Sequence, residues 1–264
     1  MGELILVFGG TGFIGSFVSS RLSGVDEVVL AVRRSVEGFK TVRFSESSEI
    51  PALIERLNPD VVVNFIGVLR GDYQTAHVEI PRLIAEGVRR TGSRLIHTSA
   101  LGADENSRVP YFRTKALGER AVREVKNHAI VRPSFVLGQG QRLFRDAIRF
   151  KVFPNLKTPV QPIDLRDLAG LHLKLVEGKK GKFNACGGEV ISLGELVRKV
   201  MEGAGKRMLL LPAPERVLRL LGRLDGSLLM ALTENTCERN DALELLGALR
   251  SLDESIKWTA EGLR

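Results

Sequence analysis

Residues Val7-Phe8-Gly9-Gly10-Thr11-Gly12-Phe13-Ile14-Gly15 constrain this chain more than any other stretch. They overlap the end of a short apolar run, Leu4 to Phe8, and lead into Phe13 to Leu22, whose pattern predicts a helix closed by Gly24. The glycines therefore sit in a tight strand-to-helix turn, with Gly9, Gly12 and Gly15 recurring at every third position. A pyrophosphate needs backbone N–H donors, and a helix N-terminus supplies them together with the positive end of the helix dipole. A Cβ at Gly9 would obstruct the turn, one at Gly12 would hold the backbone off the phosphates, and one at Gly15 would push the helix away from the sheet. A lone glycine triplet is a weak signal. The apolar run before it and the helix after it favour dinucleotide binding over an ordinary turn.

Apolar runs then alternate with helical patterns. Strands are predicted at Val28 to Val32, Val42 to Phe44, Asp60 to Gly67, Arg94 to Ser99 and Ala129 to Val136, with helices at Ile50 to Leu57, Glu79 to Arg90 and Pro110 to Val125. Strand runs without polar alternation imply a sheet covered on both faces, and strand–helix alternation implies parallel order. The predicted fold is α/β, a doubly wound parallel (Rossmann) sheet. The predicted domains are 1–145 for the dinucleotide and 146–264 as a small C-terminal substrate-side region, with 160–188 returning to the sheet. Only a loop is expected between the second and third strands, Arg33 to Thr41.

The 264 residues allow one large domain or a domain with an appendage, and the formal net charge is +8. The basic residues are scattered and not interleaved with aromatics, so the charge reads as a solvated surface and not as a nucleic-acid site. Cys186 and Cys237 lie far apart without metal-ligand spacing and read as reduced thiols. His77, His97, His128 and His172 show no paired spacing, so no metal is expected. No apolar stretch approaches the roughly 20 residues that span a bilayer. The N-terminus lacks the basic opening and long apolar run of a secretory signal. A cytoplasmic location is the expectation.

Ligands of such sheets bind at the carboxyl ends of the strands. Arg33 and Arg34 follow the second strand, where an NAD enzyme usually offers a carboxylate to the ribose 2′-hydroxyl. Arginine pairs instead with a 2′-phosphate, which favours NADP over NAD. Asn64 on the fourth strand serves either the cofactor or the neighbouring backbone, and Gly67 lets the backbone pass close to a ligand. Ser99 ends the fifth strand. Tyr111 and Lys115 are spaced i and i+4 on the helix opened by Pro110, so they share a face. A lysine ammonium near a phenol lowers its pKa and fits it for proton exchange with a hydroxyl or carbonyl.

Gly9-x-x-Gly12-x-x-Gly15, Asn64-x-x-Gly67, Ser99 and Tyr111-x-x-x-Lys115 together resemble an extended or atypical short-chain dehydrogenase/reductase. Arg132-Pro133-Ser134 to Gly138 resembles that family's Arg-Pro strand and loop. Gln161 to Ala169 resembles its later His-Val-x-Asp segment, with Asp164 in place of the His. Gly181 to Leu196 resembles its Phe-Asn…Ser-x-x-Glu-Leu segment. Val61 to Gly67, Ser99 to Ala103 and Tyr111 to Glu119 look most like the branch of the NADPH-binding accessory subunit of respiratory complex I.

The resemblance implies that Gly9, Gly12 and Gly15, with the N–H groups of Thr11, Gly12, Phe13 and Ile14, hold the pyrophosphate. It places Arg33 and Arg34 on the 2′-phosphate and Gly67 near the adenine-side ribose. Lys115 falls on the nicotinamide ribose, and Pro133 and Ser134 beside the nicotinamide. Tyr111 becomes the general acid/base and Ser99 the group that polarises the substrate oxygen. The implied function is NADP(H)-dependent hydride transfer on an unnamed small molecule. The alternatives are a nucleotide-sugar epimerase or dehydratase with bound NAD(P), and a non-catalytic NADPH binder associated with a respiratory complex or membrane.

Past Phe144 the pattern loosens. Phe150 to Leu156 is a lid candidate and Leu209 to Pro214 an apolar strip. Ser192 and Glu195 form a capping box for a helix from Leu193 to Met201. Val217 to Leu232, with Arg216, Arg219 and Arg223, reads first as a packed amphipathic stretch and second as a lipid-facing one. Gly118, on the helix of Tyr111, allows close packing at a homodimer contact or against the sheet.

Overall fold

A computed structural model describes residues 2–212, 214, 218 and 226–264. The chain divides into two compact units, Met1–Arg132 with Ala169–Phe183, and Pro133–Leu168 with Asn184–Arg264. The first half runs β1 (Leu4–Phe8), α1 (Phe13–Leu22), β2 (Glu27–Val32), β3 (Lys40–Arg43), α2 (Ile50–Leu57), β4 (Val61–Asn64), α3 (Ile80–Thr91), β5 (Arg94–Thr98), α4 (Pro110–Arg123) and β6 (His128–Pro133). It continues through β7 (Val136–Leu137), α5 (Arg142–Phe150), β8 (Val152–Pro154), β9 (Pro159–Val160) and β10 (Ile163–Asp164). Then come α6 (Leu165–Val176), β11 (Gly181–Ala185), β12 (Ile191–Ser192), α7 (Leu193–Gly203) and β13 (Leu209–Leu211), followed by the helices Gly226–Ala231, Asp241–Leu246 and Leu252–Glu261.

The main sheet has seven strands in the order β11-β6-β5-β4-β1-β2-β3, with β1 to β6 paired in parallel. Its central strands are apolar on both faces, as a doubly covered sheet requires: Ile5, Leu6, Val7, Phe8, Val62 and Val63 are fully buried. Phe8 stands opposite Ala31 of β2 and Asn64 of β4, so β1 and β4 finish level and β2 runs one residue further. Strand order reverses at β1, and the glycine turn leaves the sheet at that switch point. As expected, no helix separates β2 from β3. On one face Ile50, Leu53 and Ile54 of α2 meet Ile80, Ile84 and Val88 of α3 over Leu6, Val62 and Leu95.

The single strand expected from Ala129 to Val136 is two. Pro133 brings no N–H to a ladder, and Ser134 leaves the strand line: its N–H donates to the Ala185 carbonyl and its hydroxyl to the Gln161 carbonyl, at 2.6 Å. In the second unit β8 pairs in parallel with β13, so the lid candidate and the apolar strip are partners in one small sheet. The Ser192 hydroxyl caps α7 by accepting from the Glu195 N–H, but Glu195 does not close the box. Its carboxylate accepts from Arg198 instead, at 2.8 Å. Phe144, Leu196, Val197, Val200 and Ile256 form this unit's core. Most of the Val217 to Leu232 stretch, with Arg216, Arg219 and Arg223, lies outside the described residues.

Cys186 and Cys237 are not separate thiols: they form a disulfide, with Cα atoms 6.2 Å apart. Side chains align the two backbone pieces across 51 residues of sequence. Asn240 Nδ2 donates to the Cys186 carbonyl at 2.9 Å, and the Cys237 N–H donates to Gln161 Oε1 at 2.9 Å. Spacing carries no trace of such a long-range alignment. Closing a loop of this length restricts the unfolded chain by about 4 kcal/mol in the chain-entropy treatment. Thermal unfolding with and without reductant, and of Cys186→Ser, is expected to show a transition lowered by several degrees in both cases. An unmoved transition would show that the bond contributes nothing.

Candidate active site

The glycine turn is built by close approach. Gly9 has φ +73°, and a Cβ there would lie 2.7 Å from the Ile66 nitrogen; one on Gly15 would collide with the Gly9 carbonyl. Gly12 differs, since a Cβ there would meet only the Gly9 oxygen, at 3.4 Å. The space over Gly12 is open, next to a helix N-terminus of the kind that binds phosphates. The Gly12 N–H donates to the Gly9 carbonyl at 3.1 Å, which leaves Phe13 and Ile14 to offer theirs from the first turn of α1. No acidic residue occupies that turn, and Thr11 and Gly12 are exposed. Arg33 and Arg34, also exposed, follow β2 on the same sheet edge.

Asn64 is fully buried. Its Oδ1 accepts from the Ile66 N–H at 2.9 Å and its Nδ2 lies 3.1 Å from His97 Nδ1, so it shapes the turn after β4. A Cβ on Gly67 would come within 2.9 Å of Lys115 Nζ, so the lysine tip lies directly over the turn. That ammonium donates to the Thr98 carbonyl at 3.1 Å. Burial lowers the Lys115 pKa to about 8, against a smaller opposing pull from Glu119.

Ser99 does not face an open site. Its hydroxyl donates to Glu119 Oε1 at 2.6 Å, and Glu119, fully buried, also receives the Arg132 fork at 2.7 Å on each oxygen. A buried carboxylate must be paired and hydrogen-bonded, and Ser99 helps to meet that need. Glu119 and Arg132 end and open motif stretches in the sequence, but their pairing was not read from it. The signal available was an acid one turn beyond Lys115 on the same helix face.

Tyr111 departs from expectation as well. Its phenol is pushed up to about 12, by burial first and by Tyr73 second, where a lowered value was expected from Lys115. The ring sits among aromatics: His77 and Phe112 approach edge-on at 5.3 Å and Tyr73 at 6.2 Å. His77 comes from a π-helical turn, Thr75–Glu79, that enters α3. Burial, with Lys115 nearby, holds both His77 and His97 near pKa 3, so both imidazoles are neutral. Gly118 packs within the chain, but on the π-helical turn and not on the sheet: a Cβ there would collide with the His77 carbonyl. Pro133 and Ser134 belong to the second unit, where the Ser134 hydroxyl is engaged with Gln161.

Residues 5–158 match the NAD dependent epimerase/dehydratase family. The chain is 28% identical over 236 residues to NADH dehydrogenase (ubiquinone) 1 alpha subcomplex subunit 9, mitochondrial, of Dictyostelium discoideum, covering 78% of this chain and 65% of that one. It is 27% identical over 256 residues to the protein of that name from Rattus norvegicus, covering 85% and 67%. The chain thus spans about two thirds of the length of these curated relatives. Among solved structures, dTDP-4-dehydrorhamnose reductase from Bacillus anthracis in complex with NADP superposes with a TM-score of 0.72 at 16% identity, covering 98% of this chain and 99% of that one. UDP-N-acetylglucosamine 4-epimerase from Bacillus cereus superposes with a TM-score of 0.75 at 14% identity, covering 98% of each. At these identities the likeness is one of fold.

Lys115 supplies a test of the site's electrostatics. Its pKa is lowered from 10.5 to about 8, so between those values the unfolded chain binds more protons than the folded one. The group's contribution to stability therefore rises with pH across that window and is lost as pH falls through about 8. Lys115→Met is expected to be more stable than wild type at pH 7 in urea unfolding, with the gap closing as pH rises above 8. A less stable variant at pH 7 would overturn this account of the buried ammonium.

Proposed function

From the premise that this chain belongs to the NAD dependent epimerase/dehydratase family, we propose that its first unit binds NADP(H) and holds it without turning it over. The glycine turn takes the pyrophosphate, with the Phe13 and Ile14 N–H groups and the open space over Gly12 as the observations that favour it. Arg33, with Arg34, takes the 2′-phosphate and selects NADP over NAD. Gly67 and Lys115 take a ribose.

The observation that carries the second half of the proposal is the state of the acid–base set. A bound nicotinamide would supply hydride transfer, and the protein's part would be to move a proton at the substrate oxygen. The Ser99 hydroxyl is committed to Glu119, and the Tyr111 ring is packed among His77, Phe112 and Tyr73. The relatives named as subunits of a respiratory dehydrogenase are consistent with a nucleotide kept for structure or sensing within an assembly. A second reading is turnover by an NADP(H)-dependent oxidoreductase or epimerase. What favours it is that Tyr111 and Lys115 retain one-turn spacing on α4.

Calorimetry with NADPH and NADH is expected to show tighter binding of NADPH, weakened about tenfold or more in Arg33→Ala, the loss of one charge-assisted phosphate contact. Incubation of the NADPH-bound protein with ketone and nucleotide-sugar panels is expected to consume no cofactor. Consumption that Tyr111→Phe abolishes would replace the holding reading with the catalytic one. A preference for NADH would sink the role given to Arg33.

A further inference from the structure

The residue that joins the parts of this site is His77, which neither the motifs nor the proposed function uses. It is 1% exposed, and both ring nitrogens are engaged. Nε2 accepts from the Val68 N–H at 3.0 Å, one residue beyond Gly67. Nδ1 lies 2.9 Å from Thr114 Oγ1. Accepting at Nε2 places the proton of a neutral imidazole on Nδ1, so Nδ1 donates to Thr114, whose own hydroxyl donates to the Pro110 carbonyl at 2.9 Å. Thr114 lies between Tyr111 and Lys115 on α4.

The ring also packs. It stacks on Tyr73 at 5.2 Å and meets Tyr111 edge-on at 5.3 Å. The backbone is equally committed: His77 lies in the π-helical turn, its carbonyl against Gly118 of α4. One imidazole therefore ties the turn that carries Gly67, the start of α3, and the helix face that carries Tyr111 and Lys115. A π-turn inside a helix is a local distortion, often found at functional sites. Here it contains the residue whose imidazole reaches both partners.

We infer that His77 is a positioning residue for the nucleotide: it sets the distance between the Gly67 turn and Lys115 and fixes the Tyr111 ring beside them. This rests on the reading that the first unit binds NADP(H). The imidazole touches no reacting atom. It acts through Val68 and Thr114, as a fixed neutral bridge whose two hydrogen bonds point in different directions. The side chain that replaces it must satisfy the Val68 N–H, or that buried donor is left unpaired.

The chain contains two tyrosines, Tyr73 and Tyr111, so in a Tyr73→Phe background the 13C resonance of ring-labelled tyrosine reports on Tyr111 alone. In that background His77→Leu keeps the bulk and loses both bonds. His77→Gln can still reach the Val68 N–H. Thr114→Val removes the Nδ1 acceptor with little change of volume. NADPH affinity is expected to weaken about tenfold in His77→Leu, as the Gly67 turn and Lys115 lose their set spacing, with recovery in His77→Gln. The Tyr111 resonance is expected to move in His77→Leu and in Thr114→Val. Folded His77→Leu with wild-type affinity and an unmoved resonance would overturn the inference. If His77→Leu does not fold, folded Thr114→Val with wild-type affinity and an unmoved resonance overturns it equally. If the parent binds no NADPH, the nucleotide reading fails, while the resonance still decides whether His77 fixes Tyr111.

Discussion

Gly9 lies so close to the backbone of Phe65 and Ile66 that no side chain fits between them, and the first unit is arranged around that approach. It brings the end of β1 against the turn that leaves β4, where the Phe65 N–H donates to the Phe8 carbonyl at 2.9 Å. A parallel sheet sends every crossover to the same edge. The approach at Gly9 therefore decides which loops converge there: the glycine turn, the arginines after β2, and the Asn64–Val68 turn. Asn64 then stiffens the last of these from within by accepting the Ile66 N–H. The polar residue and the two glycines form one device, a turn able to pass close to another backbone and to an ammonium.

A second constraint is the burial of charge. Glu119 and Lys115 sit one turn apart on α4, at 0% and 4% exposure. Glu119 is compensated by Arg132, Arg123 and Ser99, and such a pair is costly to break because the remaining charge is left in apolar surroundings. Among the described residues Lys115 donates to the Thr98 carbonyl and feels a pull from Glu119, and burial disfavours its charged form. The asymmetry separates their roles. A satisfied buried charge holds a fold, whereas a poorly satisfied one marks a place where a ligand can complete the set.

These two constraints explain what was legible in the sequence. The glycine spacing, the apolar strand runs and the helix boundaries at Phe13–Leu22 and Ile50–Leu57 follow from local rules and agree with the structure. The loop between β2 and β3 was legible for the same reason. What local pattern missed is long range: the Cys186–Cys237 bond, the Arg132 fork onto Glu119, and the bridge from His77 to Val68 and Thr114. Tyr111 shows the same limit inside a motif. Spacing placed Tyr111 and Lys115 on one face, but pKa depends on everything that surrounds the phenol. Here burial comes first and Tyr73, distant in sequence, second, and both raise it.

The three buried basic groups His77, His97 and Lys115 also settle among themselves which one carries charge. His77 and His97 stay neutral well below physiological pH because each is buried beside Lys115, so the single proton on offer at neutral pH resides on the lysine. With its pKa near 8, the lysine itself is only partly committed to that proton. Any anionic or strongly hydrogen-bonding ligand that reaches the Gly67 turn favours the charged form and draws the proton more firmly on. Ligand and proton then bind cooperatively through Lys115, because each favours the state the other needs. The neutral histidines make this coupling local. They cannot take up the proton in the lysine's place, and His77 is held by Val68 and Thr114 in the tautomer that keeps it so.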